Sequence, residues 1–299
     1  MTPALLSLTA ALVAGYADVD YGIGDERDVA VGGLTLRVHE GGPKDAPTVV
    51  LLHPFGLTMK IWRDTLPALE RDFHVVAYDA PGHGKSARPH RALTLARLAR
   101  TCTGLLDALG IKDAILVGNS MGGGTALTVA LDHPGRARAL VLVDSVGLDF
   151  HPWFGAAWRM LSPSDVSSSP DWAWLLAMDL ATSKQSPLVE ALASDLLAVR
   201  SDPLHKDTGR AFWSIVADMV VLDRTGDLAR VRVPTLVVTG EEDRIVAPEH
   251  ARRLATGIPG ARFHEFPGLG HLPQAEDAAR LLEVVGPFLR EVGAAGAGG

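Results

Sequence analysis

Cysteine is almost absent from this 299-residue chain: Cys102 stands alone. One thiol permits no intrachain disulfide and no cysteine-based zinc site, and its place in a helix-like stretch marks it as a buried core residue. Also lacking is any run of Lys and Arg. With 28 basic against 35 acidic residues and a formal net charge of -7, the chain offers no phosphate-binding face, so nucleic acid is not an expected partner. No apolar run approaches the roughly 20 residues that cross a bilayer. The longest, Ala4 to Gly15, is preceded by Met1-Thr2-Pro3, which lacks the positive charge of a secretory leader. Residues 1–25 therefore read as a packing helix or a frayed extension on a cytoplasmic protein, with secretion as the minor alternative. At the other end, residues 293–299 are Gly and Ala with little to pack, and read as a disordered tail.

What is present describes a globular enzyme-sized chain. Hydrophobic residues make up 47% and charged residues 21%, which excludes a disordered or fibrous polymer. Short β-branched apolar runs alternate with longer stretches of helical period, the pattern of an α/β protein with a mainly parallel sheet. Two early runs, Arg27–Val31 and Leu34–Glu40, flank Gly32-Gly33 and read as a hairpin. Six more follow: Thr48–His53, His74–Asp79, Ala114–Gly118, Ala139–Asp144, Thr235–Gly240 and Arg262–Phe266. Alternation fails once, across residues 147–228, where five of the six tryptophans fall (Trp153, Trp158, Trp172, Trp174 and Trp213). That stretch reads as an insertion between two core segments, residues 26–146 and 229–292.

Ligands of open α/β sheets bind beyond the carboxyl ends of the strands, so chemistry is sought just after each run. The fifth run leads into Gly118-Asn119-Ser120-Met121-Gly122 and then a helical stretch. This is the G-x-S-x-G elbow in its strand-turn-helix setting, where small neighbours let a strained serine stand exposed. Serine alone is a weak nucleophile and needs a base oriented by an acid. His271 follows the last strand in a loop able to carry an imidazole over the sheet edge. Carboxylates lie in the turn Glu241-Glu242-Asp243 after the seventh run, with Asp144 after the sixth as rival. Backbone donors for an oxyanion are expected from Met121 and from Phe55 or Gly56, since Pro54 has no N–H. His53 reads as a structural loop histidine. Gly84-Lys85-Ser86 resembles the end of a phosphate loop, but the required glycine is replaced by Asp79, so the segment reads as a structural turn. No metal or dinucleotide motif is present, and no cofactor is implied.

These motifs together resemble the α/β-hydrolase superfamily with a helical cap. The matching residues are His53-Pro54-Phe55-Gly56, Asp79 to Ser86, Gly118 to Gly123, Gly240-Glu241-Glu242-Asp243 and Gly270 to Glu276. The resemblance implies an eight-stranded, mainly parallel sheet flanked by helices, with 147–228 as the cap. It also selects Asp243 as the acid, giving the order Ser120, Asp243, His271. The elbow is similar to that of carbon–carbon bond hydrolases acting on meta-cleavage products, which would place Asn119 and Arg200 at the substrate's acid end. Alternatively, Asn119 points into the fold and Arg200 is a solvated cap residue. Phe55 and Leu272 depart from that subfamily's pattern and suit an apolar ester. The expected activity is therefore a cofactor-free serine esterase acting on a small hydrophobic carbonyl substrate. Carbon–carbon hydrolysis, or a non-hydrolytic biosynthetic or receptor use of the fold, stands as the alternative. A homo-oligomer is compatible with the chain.

Overall fold

The structure, a computed structural model, describes residues 20–149, 171–201 and 213–295, with only the backbone given for 171–174 and 197–201. Eight strands form one sheet: β1 (Glu26–Val31), β2 (Leu34–Gly41), β3 (Thr48–Leu52), β4 (His74–Tyr78), β5 (Ala114–Asn119), β6 (Ala137–Val143), β7 (Thr235–Gly240) and β8 (Arg262–Phe266). Their order is β1-β2-β4-β3-β5-β6-β7-β8. The β1–β2 and β2–β4 pairs are antiparallel and the remaining pairs parallel. The eight apolar runs led us to expect these eight strands in a mainly parallel sheet.

Strands β3 to β7 are apolar almost throughout because helices cover both faces. Alternation then divides the core in two. Val50, Leu52, Val76, Leu116 and Leu142 pack with Leu98, Cys102 and Leu127, whereas Val49, Leu51, Val117, Val141 and Val143 pack with Trp62, Leu272 and Phe288. Helix Leu95–Ala108 shows how sequence selects a face. Thr94 caps it by accepting from Arg97 N, and Leu95, Leu98, Ala99, Cys102, Leu105 and Leu106 form its buried stripe. The segment between β6 and β7 is helical at Asp171–Ala181, Pro187–Ser201 and residues 213–221. Trp153 and Trp158 lie outside the described residues.

Two boundaries move. Tyr21 and Ile23, within the supposed extension, are core members, and the Tyr21 hydroxyl donates to Asp79 Oδ2 at 2.7 Å. Helix Ala278–Ala294 likewise enters the supposed tail, because Gly293, lacking a Cβ, seats the helix against Phe73 and Pro47. Residues 1–19 and 296–299 lie outside the described residues. Among the described residues no helix is long and apolar enough to cross a membrane.

Candidate active site

Ser120 stands where β5 gives way to helix Met121–Asp132, with φ of 54° and ψ of -113°. A non-glycine residue in this region is strained, and the surroundings enforce it. Ser120 N donates to Val143 O at 2.9 Å, while Gly124 N donates to Ser120 O at 3.0 Å. A Cβ on Gly118 would strike the Gly122 backbone, and one on Gly122 would strike the Leu52 carbonyl. Only glycines allow the elbow to press this closely on β3. The Met121 N–H precedes the helix's first i to i-4 bond, so it belongs to the set of helix-start donors available to an anion.

His271 and Asp243 meet beyond the ends of β7 and β8. His271 Nδ1 donates to Asp243 Oδ2 at 2.7 Å, with both side chains buried. A carboxylate can only accept, so the proton sits on Nδ1 and the Nε2 lone pair is left as the base. Asp243 is fixed in turn. Its Oδ1 accepts from Ile245 N at 2.7 Å and Val246 N at 2.9 Å. Asp144, the rival acid, does not take the imidazole Nδ1. Its Oδ1 accepts from Thr239 Oγ1 at 2.8 Å and Gly240 N at 2.9 Å. One donor-type atom from each of Asp144, Asp243 and His271 lies within 4.8 Å of the other two. The donor types would suit a cation, but the hydrogen bonds are those of an acid–base pair with a second carboxyl beside it.

The loop after β3 is built around neutral His53. Its Nε2 accepts from Ala80 N at 2.8 Å, so Nδ1 carries the proton and donates to the Pro54 carbonyl at 2.8 Å. Burial draws its pKa down to about 4, which keeps it uncharged. Phe55 packs edge-on to His83 at 5.6 Å and against Trp213 at 5.4 Å between ring centroids. A cap-side tryptophan therefore touches the loop expected to supply an oxyanion donor. Asp79 anchors that loop from below, accepting from Met59 N and from Lys85 N, each at 2.9 Å.

Of the two readings of Asn119, the structure shows the one that points into the fold. Asn119 is fully buried, and its Nδ2 donates to Val143 O at 3.1 Å and His271 O at 3.0 Å. Its Oδ1 accepts from Gln274 Nε2 at 3.0 Å. The amide is thus committed to bracing the histidine loop. Leu272 is 1% exposed and packs with Leu188, Leu192 and Leu196 of helix Pro187–Ser201. The Arg200 side chain lies outside the described residues.

Sequence reasoning gave no role to Glu276. This buried carboxylate accepts from Gly270 N and Leu272 N, which flank the histidine, and from Ser183 N at 2.8 Å and Lys184 N at 2.9 Å. His271 N itself donates to Ala181 O at 2.8 Å. The histidine loop and the end of helix Asp171–Ala181 are therefore one hydrogen-bonded unit.

This sheet, elbow and His–Asp pair are those of an α/β hydrolase, and residues 49–284 match the model of the alpha/beta hydrolase family. The chain belongs to that family. It is 31% identical over 279 residues to the 2-hydroxymuconate semialdehyde hydrolase of Pseudomonas sp. (strain CF600), covering 90% of this chain and 95% of that protein. It is 30% identical over 270 residues to the 2-hydroxy-6-oxo-6-phenylhexa-2,4-dienoate hydrolase of Comamonas testosteroni, covering 86% and 91% respectively. Among solved structures, the enol-lactonase from Burkholderia xenovorans LB400 superposes with a TM-score of 0.78 at 25% identity, covering 88% of this chain and all of that one.

Proposed function

We propose that the protein is a cofactor-free serine hydrolase in which Ser120 is the nucleophile, His271 the base and Asp243 its orienting acid. The observation that carries this reading is the 2.7 Å bond from His271 Nδ1 to Asp243, which leaves Nε2 as a proton acceptor. Ser120 Oγ attacks a carbonyl carbon and gives its proton to Nε2. The resulting oxyanion is met by the N–H groups of Met121 and Phe55. Collapse expels the leaving group, which takes the proton from His271. Water then repeats the sequence on the acyl-enzyme and releases the acid.

The bond we assign is a carboxylic ester of a hydrophobic substrate, supported by the aromatic packing of Phe55 against Trp213 beside the elbow. The likeness to dienoate hydrolases favours a second reading, cleavage of a carbon–carbon bond next to a carbonyl. Steady-state kinetics on a short-chain p-nitrophenyl ester and on an anionic dienoate separate the two. Ser120→Ala is expected to lower either activity by ~10³ or more, and a folded variant retaining several per cent would sink the assignment. Under the ester reading Arg200→Ala is nearly silent on both substrates. Selective loss on the dienoate, by about 30-fold or more, would move the function to the carbon–carbon bond.

A further inference from the structure

Asp144 is unexplained by this chemistry. It is fully buried, sits at the end of β6 with φ of 44°, and is held by Val238 O on its amide as well as by Thr239 and Gly240 on Oδ1. A bulky-side-chain position would not tolerate this backbone, and Ser120 is the one other non-glycine residue with positive φ among the described residues. Its second oxygen, Oδ2, is buried and accepts no hydrogen bond from any N–H or O–H of the described residues. That oxygen belongs to a carboxyl lying within the same 4.8 Å cluster as Asp243 and His271.

Two adjoining buried carboxylates do not both ionise, because like charges at this separation repel strongly where water is excluded. The donor pattern decides which one keeps the charge. Asp243 accepts from two backbone N–H groups and an imidazole N–H, whereas Asp144 accepts from one N–H and one hydroxyl, both on Oδ1. We propose that Asp144 is a positioning residue that carries the pair's proton on Oδ2 and donates a hydrogen bond to the Asp243 carboxylate, fixing it against His271. Burial and the Asp243 charge both push the Asp144 carboxyl well above the usual carboxylate range. No proton moves to or from Asp144 during turnover.

Other titrating groups around the pair do not supply this proton. On the same turn Glu241, Glu242 and Arg244 are exposed. On helix Pro248–Gly257, His250 accepts from Leu148 N at 3.2 Å and is drawn down to about 4, chiefly by burial, so it is neutral beside Asp243. Arg253, Asp149 and Asp223 also act on that histidine, Arg253 lowering its pKa and the two carboxylates raising it.

The inference rests on the reading of His271 and Asp243 as base and acid, so one arm of its test is independent of activity. A difference infrared spectrum at neutral pH, wild type minus Asp144→Asn, is expected to contain a protonated-carboxyl C=O band. Its absence would overturn the proposal whatever the enzyme does. In the kinetic arm, Asn keeps an N–H donor, is neutral and tolerates positive φ. The acid limb of kcat/KM should therefore stay in place, within about 0.3 pH units. If wild-type Asp144 were ionised, removing its charge beside His271 would move that limb down by about one unit or more, and the proposal would fail. Asp144→Leu removes the donor and should lower kcat about tenfold with KM unchanged. Wild-type kcat in a folded Leu variant would equally overturn it, and if that variant does not fold the Asn and infrared arms decide. Failure of the underlying reading looks different: Ser120→Ala would keep its activity.

Discussion

In the proposed mechanism the acid is the carboxylate that meets the imidazole. Asp243 and Asp144 both follow parallel strands and both point toward His271, yet Nδ1 donates to Asp243 alone. Asp243→Asn is therefore expected to lower kcat/KM by roughly 10² to 10⁴, because the amide no longer stabilises an imidazolium and can favour the other tautomer. Ester hydrolysis together with circular dichroism checks this, and a folded variant within tenfold of wild type would return the role to Asp144. Individual residues set the limit of what the sequence discloses. The elbow at Ser120 and the loop that carries His271 were legible because the elbow needs glycines on either side and the histidine follows the last strand. For Asn119 the sequence left two readings open, and it was geometry that separated them. Asn119 shares the face of β5 that carries Ile115 and Val117, and that face looks onto the loop of Leu269 and Leu272. Alternation is readable in a sequence, but which loop covers a given face is not. Glu276 eluded the reading for the same cause, since four backbone donors from two distant segments converge on it and leave no local pattern.

Among the elements, the elbow depends most on close approach. Helix Met121–Asp132 opens with three glycines, poor helix formers retained where the helix start meets β3 and the segment after β6. A Cβ at Gly123 would strike Ser145, and one at Gly124 would strike Val146. Gly122→Ala should accordingly cost about 2 kcal/mol or more, since the obstacle is the Leu52 backbone and not the tip of a flexible side chain. Gly226→Ala is the matched control. Its added methyl would meet nothing within 4 Å, so a gain of about 0.5 kcal/mol is expected from the stiffer unfolded chain. Urea unfolding of both variants tests the contrast, and equal effects would remove the steric account of the elbow. The strands themselves were readable to within a residue or two, because apolar runs end at Gly, Asp or Pro. The helices of the inserted segment were anticipated from the resemblance, which implied a helical cap where strand alternation fails; the residues alone showed only that failure.

At the scale of the whole molecule, Asp79 joins parts of the chain that sequence reading kept apart. Its carboxylate takes the Tyr21 hydroxyl from the N-terminal segment, Met59 N from below the loop that follows β3 and Lys85 N from the following turn. Burial outweighs these donors and raises its pKa from the ordinary 3.8 to about 6. A carboxyl raised on folding binds its proton more tightly in the native state, so its contribution to stability is greatest below pH 3.8 and is lost as pH rises to about 6. That loss amounts to about 3 kcal/mol. His53 and His250 work in the opposite sense. Both are held near 4 in the fold, so each adds stability as pH rises through about 4 to 6.5. The raw stability curve of the wild type therefore mixes opposing slopes, and a variant difference is the cleaner measurement. Asp79→Asn is neutral at every pH and loses acceptor capacity, which displaces its stability by a constant amount. Relative to wild type it should then gain about 3 kcal/mol between pH 4 and 6.5 and stay level above that. Denaturant unfolding at half-unit pH intervals reads this difference directly, and a flat difference would mean that Asp79 is already ionised in the folded protein at pH 4.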